Sequence, residues 1–302
     1  MLADYVFEQG ATIEGEFRVS WVRRSINCKN EEYMVIRLGD VSGEVDGYCW
    51  QDRYKGPEDV APGDIIKVSG VVNRFDGKWQ LMVNEGIRIL VPETNPALLL
   101  PAHFCPRPDL IERLARAIDT IATPVLKQFV IEVILDSKII YPFVSVAGSC
   151  SQHHSYPGGT LEHSLECFDL VRAMPDLTEP ERDIASVAAL FHDIGKIRTN
   201  RLHQLTPEGF WVHHNALTFE VLAVHLQGLD RQWQEAGSML RHIWSALHKG
   251  HTRPMSSLVA LVAFADQYSA ERDNERSLFE DKEPWKSSAV DNHRVRRMRL
   301  AA

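Results

Sequence analysis

Two different spacings of hydrophobic residues divide this chain of 302 residues. From residue 11 to about residue 90, apolar and polar side chains alternate between turn-forming residues, which is typical of β-strands. From Asp109 onward the apolar residues recur at helical spacing, as in Leu110, Leu114 and Ile118. The sequence therefore predicts an N-terminal β domain followed by an all-α domain.

The alternating region predicts five strands with explicit turn signals between them. We place the strands at residues 11–24, 33–38, 43–50, 64–75 and 78–90. Asp40-Val41-Ser42-Gly43, Pro62-Gly63-Asp64 and Asp76-Gly77 are the turns. Five strands with an irregular stretch between the third and the fourth resemble an oligonucleotide/oligosaccharide-binding (OB) fold, a small closed barrel. The resemblance implies a domain that binds single-stranded nucleic acid.

In such barrels, aromatic rings on the strand face stack on bases while cations follow the phosphates. The aromatic candidates are Tyr33, Tyr48, Trp50 and Trp79. The cationic candidates are Arg23, Arg24, Lys29 and Arg37. Each aromatic could equally belong to the barrel core, because position in a strand does not fix the face without the register.

Prolines mark the expected domain boundary. Five of them lie in residues 92–108, which predicts a semi-rigid linker between an OB-fold domain at 1–91 and a helical domain at 109–284. Residues 285–302 form a basic C-terminal tail, which could contact nucleic acid or a partner subunit or could be disordered.

Composition narrows the class of protein. The formal net charge of -8 argues against a chain coated with nucleic-acid-binding charge, so contacts to a polyanion should be local. The five cysteines include no C-x-x-C pair, which argues against a disulfide framework and a cysteine zinc site. The N-terminus has no export-signal pattern, and no run of apolar residues is long enough to span a membrane. We expect a cytoplasmic protein without a membrane partner.

The helical half contains an ordered set of imidazoles and carboxylates. They are His163, His192, Asp193, His214, His248 and Asp266. Nitrogen and oxygen ligands of this kind suit Mn, Fe, Zn, Co or Ni better than calcium or a thiolate zinc site. Asp266 follows a very apolar run, where an unpaired carboxylate is costly unless a cation or tight hydrogen bonding compensates it. Seven other histidines are more simply surface or hydrogen-bonded residues: His103, His203, His213, His225, His242, His251 and His293.

Two sequence motifs resemble one family in particular. Phe191-His192-Asp193-Ile194-Gly195-Lys196 resembles the His-Asp motif of HD-domain metal-dependent phosphohydrolases. The segment from His153 to Glu166, His-His-Ser-Tyr-Pro-Gly-Gly-Thr-Leu-Glu-His-Ser-Leu-Glu, is similar to the approach to the first ligand in YhaM-type 3′-5′ exoribonucleases. That family also carries an N-terminal OB-fold barrel, so the resemblance spans roughly residues 11–275.

The resemblance implies both an activity and a site. It implies a metal-dependent exonuclease that hydrolyses single-stranded RNA from the 3′ end and releases nucleoside monophosphates, and it leaves single-stranded DNA open as a second substrate. The implied metal ligands are His163, His192, Asp193 and Asp266, with His214 and His248 for a second ion and manganese as the first candidate. The implied catalytic residues are Asp193, Lys196 and His154. The substrate-binding candidates are His153, His154, Lys249, Tyr33, Trp50, Arg23 and Arg24.

Leu247-His248-Lys249-Gly250 departs from the family, which often has two consecutive histidines before this glycine, and this weakens the second-ion assignment. Three alternatives to an exonuclease remain open from the sequence. One is an HD-type nucleotide phosphohydrolase in which the barrel serves only assembly. Another is a relaxase-like module of a mobile element, and the third is a strand-binding protein without catalysis. The chain could also form a homo-oligomer.

Overall fold

The structure, a computed structural model, describes residues 1–150, 153–247, 255–291 and 294–300. It divides into two compact units. One comprises Met1–Thr120 with Ile131–Val144, and the other comprises Ile121–Val130 with Ser145–Ala302. The boundary passes through a helix, Pro124–Leu135 (α2), so each unit takes part of it.

The first unit contains a closed five-stranded barrel, as the alternating pattern predicts. Its strands are β1 (Thr12–Ile26), β2 (Glu32–Asp40), β3 (Gly43–Trp50), β4 (Ile65–Phe75) and β5 (Lys78–Ile89). They are joined in the order β1-β2-β3-β5-β4, and β1 closes the barrel by pairing with both β2 and β4. The pairing of β3 with β5 is parallel and the other pairings are antiparallel. The predicted OB-fold barrel is confirmed.

Apolar side chains from all five strands fill the interior of the barrel. The buried residues include Ile13, Phe17, Ile36, Leu38, Val45, Ile66, Val68, Leu81 and Val83. The turn between β4 and β5 has positive φ at Asp76 (48°) and Gly77 (76°), the conformation that a tight hairpin turn requires and that Asp-Gly favours.

The first unit also contains two helices and the proline-rich segment predicted as a linker. The helices are α1 (Pro108–Thr120) and α3 (Ser137–Ser145), the latter with Pro142 inside it. A 3₁₀ turn spans Ala102–Phe104. Within the predicted linker, Ala97, Leu99 and Leu100 are buried.

The second unit is mainly helical. Its helices after α2 are α4 (Gly159–Arg172), α5 (Glu179–Phe191), α6 (Lys196–Thr199), α7 (His214–Val221), α8 (Ala223–Ala246) and α9 (Ser257–Phe279). Helix α8 is interrupted by extended backbone at Trp233. The helices α4, α5 and α9 pack together, with Leu165, Phe168 and Leu190 buried.

The expectation that no strand follows the barrel is wrong in two places. Short hairpins form between β6 (Asn200–Arg201) and β7 (Gln204–Leu205), and between β8 (Ser288–Val290) and β9 (Arg296–Met298). Strands of two or three residues are too short to show an alternating pattern, so the sequence gives no signal for them. The predicted order of a barrel followed by a helical region stands.

No helix in the described ranges is both long enough and apolar enough to cross a membrane.

Candidate metal centre

Helix α4 places His163 inside the helical unit. Its apolar residues Leu161, Leu165 and Phe168 are buried against neighbouring helices, and His163 is itself fully buried. An imidazole can be buried at low cost only if both ring nitrogens find partners. The partners of His163 therefore identify the polar centre of this unit.

The His192-Asp193 pair lies directly after the last turn of α5. This helix begins with a capping box, in which Thr178 and Glu181 bond to each other's backbone N–H groups. At the other end, His192 Nδ1 lies 2.8 Å from the carbonyl oxygen of Ala189 and donates to it. The Nε2 atom of His192 therefore faces away from its own helix, toward His163.

Five of the predicted ligands converge within hydrogen-bonding distance. His163 Nε2 lies 3.2 Å from His192 Nε2 and 3.1 Å from Asp266 Oδ1. His192 Nε2 lies 3.3 Å from Asp193 Oδ2 and 3.5 Å from Asp266 Oδ1. His214 Nε2 lies 3.1 Å from Asp193 Oδ1. Residues that are far apart in the sequence thus direct nitrogen and oxygen atoms at one point.

Asp193 lies at the centre of this charge network. Its side chain is buried, and Lys196 Nζ lies 2.5 Å from Oδ2. Burial alone would raise the pKa of Asp193. The charges of Lys196 and His192 have the opposite and larger effect, so the pKa lies well below the usual range. The carboxylate is therefore ionised and available to a cation.

The two buried imidazoles differ in charge. Burial lowers the pKa of His163 to about 4, so this ring is neutral at physiological pH. Burial acts in the same direction on His192, but Asp193 and Asp266 outweigh it and raise the pKa to about 10. A protonated His192 thus carries the positive charge that the two carboxylates require. A divalent cation would meet the same requirement and displace that proton.

The donor set fits a transition metal ion. Two imidazole nitrogens and two carboxylate oxygens are ligands that manganese, iron and zinc accept in proteins. The thiol of Cys167 also belongs to a buried group, with His163 and His192, that is compact enough to hold an ion. However, burial raises the pKa of Cys167 well above its usual value, and a protonated thiol is a poor ligand. We therefore regard the carboxylates as the better ligands.

Two predicted residues, His154 and Asp266, lie differently from expectation. His154 is fully buried, and its ring contacts Tyr156 and Ser269 rather than solvent. The Asp266 side chain is 32% exposed and is thus less buried than the apolar run before it suggests. That run is itself partly exposed, because Phe264 is 54% exposed. His153 lies beside the site, with its ring centroid 5.7 Å from that of His163.

The predicted ligand His248 and the predicted phosphate contact Lys249 lie outside the described residues.

The barrel carries a second set of candidates on β2 and β3. Tyr33 and Trp50 are opposite each other in the strand register, and their rings stack with centroids 4.8 Å apart. Tyr48 also stacks with Tyr33, with ring centroids 6.0 Å apart. All three are half-buried, which leaves ring area at the surface. These aromatics therefore form a continuous strip on one face.

Sequence reasoning missed Trp21 on β1. Its ring is 40% exposed, and the guanidinium groups of Arg23 and Arg37 each lie 5.6 Å from its centroid. Arg37 also pairs with Asp46, which offsets its charge. Arg24 donates to the Glu58 carbonyl oxygen. The alternating pattern includes Trp21, but only the register shows its position between two cations.

Two family models match the chain, one for each unit's main fold. An OB-fold nucleic acid binding domain matches residues 19–90, and an HD domain matches residues 160–271. The HD match includes His163, His192, Asp193, His214 and Asp266.

Curated relatives carry the name 3′-5′ exoribonuclease YhaM. The one from Oceanobacillus iheyensis is 26% identical over 248 residues, covering 79% of this chain and 76% of the relative. The one from Bacillus subtilis is 22% identical over 194 residues, covering 63% of this chain and 61% of the relative. The match to the Geobacillus sp. relative, also 22% identical, covers 59% of that protein. An OB-fold domain followed by an HD domain, together with these relatives, supports a YhaM-type protein, as the motifs predict.

Proposed function

We propose that this chain is a metal-dependent 3′-5′ exoribonuclease that releases nucleoside monophosphates from single-stranded RNA. The observation that carries the proposal is that His192, Asp193 and Asp266 each place a nitrogen or oxygen atom within 3.7 Å of His163 Nε2. The relatives with the exoribonuclease name support the reaction, and the OB-fold match supports a single-stranded substrate.

His163, His192, Asp193 and Asp266 would hold one divalent ion, and His214 with His248 would contribute to a second. Manganese is our first candidate, and iron, cobalt, nickel and zinc suit the same donors. When bound, such an ion neutralises charge on the phosphate oxygens and activates water for attack.

The chain's own residues would orient the substrate and balance its charge. Lys196 is buried beside Asp193 and would supply positive charge near the phosphate as negative charge develops on it. His153 lies next to the His163 ring, and burial lowers its pKa, which favours a neutral ring that can accept a proton from water. His154, being fully buried, would act through its neighbours rather than touch the phosphate.

The barrel would bind the single strand. Tyr33, Tyr48 and Trp50 offer stacking surfaces for bases, and Arg23 and Arg24 lie on the adjacent strand. A cavity of about 400 Å³ is lined by Arg24, Tyr33 and Tyr54 among other residues, a volume that suits part of a nucleotide. Retention of a long substrate between cleavage steps would depend on this surface.

The test uses single-stranded RNA and DNA labelled at either end. The full chain is incubated with Mn²⁺, with EDTA, and as the Asp193→Ala variant. Asp281→Ala, at an exposed position after α9, is the matched control. We expect mononucleotide release from the 3′ end only with metal and with Asp193 intact, and RNA and DNA are compared directly.

Unchanged cleavage by Asp193→Ala would overturn the catalytic assignment. Hydrolysis of free nucleotides, with none of oligomers, would favour the nucleotide phosphohydrolase instead. Site-specific nicking would favour the relaxase-like module.

A further inference from the structure

A second layer of polar side chains lies behind His163, on the side away from the carboxylates. His163 Nδ1 lies 2.9 Å from the hydroxyl oxygen of Ser269, on α9. That hydroxyl lies 2.6 Å from Glu166 Oε2, on α4. Ser269 is buried, and only 16% of the Glu166 side chain is exposed. Imidazole, hydroxyl and carboxylate therefore form a chain that leads away from the metal centre.

Hydrogen-bond counting fixes the direction of this chain. An ionised carboxylate only accepts, and a serine hydroxyl has one proton to donate. Glu166 is ionised, since Arg276 Nη1 lies 2.7 Å from its Oε1. Ser269 therefore donates to Glu166, and its oxygen accepts from His163 Nδ1–H. In the neutral form, which is the form that binds a metal ion, the His163 ring then carries its proton on Nδ1 and its lone pair on Nε2.

That tautomer has a consequence at the metal centre. His163 Nε2, now an acceptor, faces Asp266 Oδ1 at 3.1 Å, which is also an acceptor. Two acceptors this close repel each other unless a proton or a cation lies between them. The chain of Glu166 and Ser269 thus excludes the tautomer in which His163 would simply donate to Asp266. It leaves both atoms ready for a metal ion.

We propose that Ser269 and Glu166 are positioning residues that hold His163 in the Nδ1–H tautomer and direct its Nε2 lone pair at the metal ion. This inference rests on the proposed metal site and deepens it. The two residues act through His163, and neither needs to contact the substrate.

Further contacts hold Glu166 in place. Burial raises the pKa of Glu166, but hydrogen bonds from His154, Ser269 and Arg276 outweigh it and lower the pKa below the usual range. His154 adopts positive φ (50°), and its backbone N–H donates to Asp273 Oδ2 at 2.6 Å. The buried His154 thus has a structural place beside Glu166, with Nε2 3.5 Å from Oε2.

The test compares Ser269→Ala and Glu166→Gln with Ser164→Ala in the full-length protein. Ser164 is a matched control because it is buried next to His163, and among the described residues its hydroxyl has no hydrogen-bond partner. Affinity for Mn²⁺ and Zn²⁺ is measured by chelator competition. Side-chain ¹⁵N chemical shifts of His163 report its tautomer, and thermal unfolding of the metal-free proteins reports folding.

We expect Ser269→Ala to weaken metal affinity roughly 10- to 100-fold, as loss of such supporting contacts typically does. Glu166→Gln should weaken it in the same direction, and Ser164→Ala should leave it within about twofold. The wild-type ¹⁵N shifts should show a protonated Nδ1, and the Ser269→Ala protein should show a mixture of tautomers.

Metal affinity of Ser269→Ala equal to that of Ser164→Ala, or a wild-type His163 protonated on Nε2, would overturn the inference while leaving the metal site intact. A wild-type protein that binds neither ion would overturn the proposed function as well. If Ser269→Ala fails to fold, Glu166→Gln decides between these outcomes by the same measurements.

Discussion

Individual residues of the candidate metal centre carry charges that would be costly to bury without partners. Asp193 is buried with Lys196, His192 and His214 around its two oxygens. Removing one member of a buried charged group leaves the others unpaired, which is more costly than never having had the group. Substitutions at these positions must therefore be judged by metal binding and folding together, not by activity alone.

Glu166 gives a pH-dependent prediction at this scale. Its pKa is lower in the folded protein than in the unfolded chain, so its stabilising contribution is complete above the unfolded value and is lost as pH falls. We expect the free energy of unfolding of the metal-free protein to decrease as the pH is lowered from about 4.5. In the Glu166→Gln variant this free energy should decrease less steeply. Urea unfolding between pH 2.5 and pH 7 measures this, and parallel curves for the two proteins would contradict it.

The sequence alone identifies the candidate metal ligands. It does not identify the side chains that hold those ligands in place. His163, His192, Asp193, His214 and Asp266 stand out because their types match metal ligands, and the structure brings them together. Ser269 and Glu166 carry no such signal, because serine and glutamate are common on helices. The full burial of His154 also depends on Asp273, 119 residues away, which no local pattern reveals.

At the scale of elements, helix α5 fixes the position of the His192-Asp193 pair. Its N-terminus is capped by Thr178 and Glu181, so we expect Thr178→Ala to lower the free energy of unfolding by about 1 kcal/mol. Thr178→Ser keeps the hydroxyl, so its free energy of unfolding should decrease much less. Chemical denaturation of the three metal-free proteins measures the difference, and equal stability for the alanine and serine variants would contradict the cap's contribution.

The strip formed by Tyr33, Tyr48 and Trp50 gives a prediction about substrate length. Stacking on a base contributes about 1–3 kcal/mol, so Tyr33→Ala or Trp50→Ala should weaken binding of a long single strand about 5- to 150-fold. Hydrolysis of a dinucleotide, which is too short to need the barrel, should remain unchanged. Fluorescence anisotropy in EDTA measures binding without cleavage.

Tyr268→Ala, at an exposed position on α9, controls for loss of a tyrosine elsewhere. Equal losses of long-strand binding in Tyr33→Ala and Tyr268→Ala would argue against a specific role for the strip.

Element types follow from the sequence where an element is long enough to show its period. The barrel strands have eight to fifteen residues and clear turn signals, and the predicted ends differ from the observed ones by at most two residues. The hairpins of β6 with β7 and of β8 with β9 have strands of only two or three residues. Their pairing depends on contacts with the rest of the unit rather than on an intrinsic pattern.

At the scale of the whole molecule, a chain with a net charge of -8 must bind a polyanion through local features. Two such features are present in the described parts of the chain. One is a barrel face with aromatic rings and nearby arginines, and the other is a buried centre that would hold divalent cations. Stacking and metal ions, rather than a broad basic surface, would account for recognition of nucleic acid.

Metal occupancy of the purified full-length chain tests the central claim most directly. The protein is stripped with EDTA, dialysed against Mn²⁺, and analysed by native mass spectrometry beside the Asp193→Asn variant. We predict one or two retained ions per wild-type chain and fewer in the variant, with both proteins folded by circular dichroism. A folded wild-type chain that retains no Mn²⁺, Fe²⁺, Co²⁺, Ni²⁺ or Zn²⁺ would contradict the account.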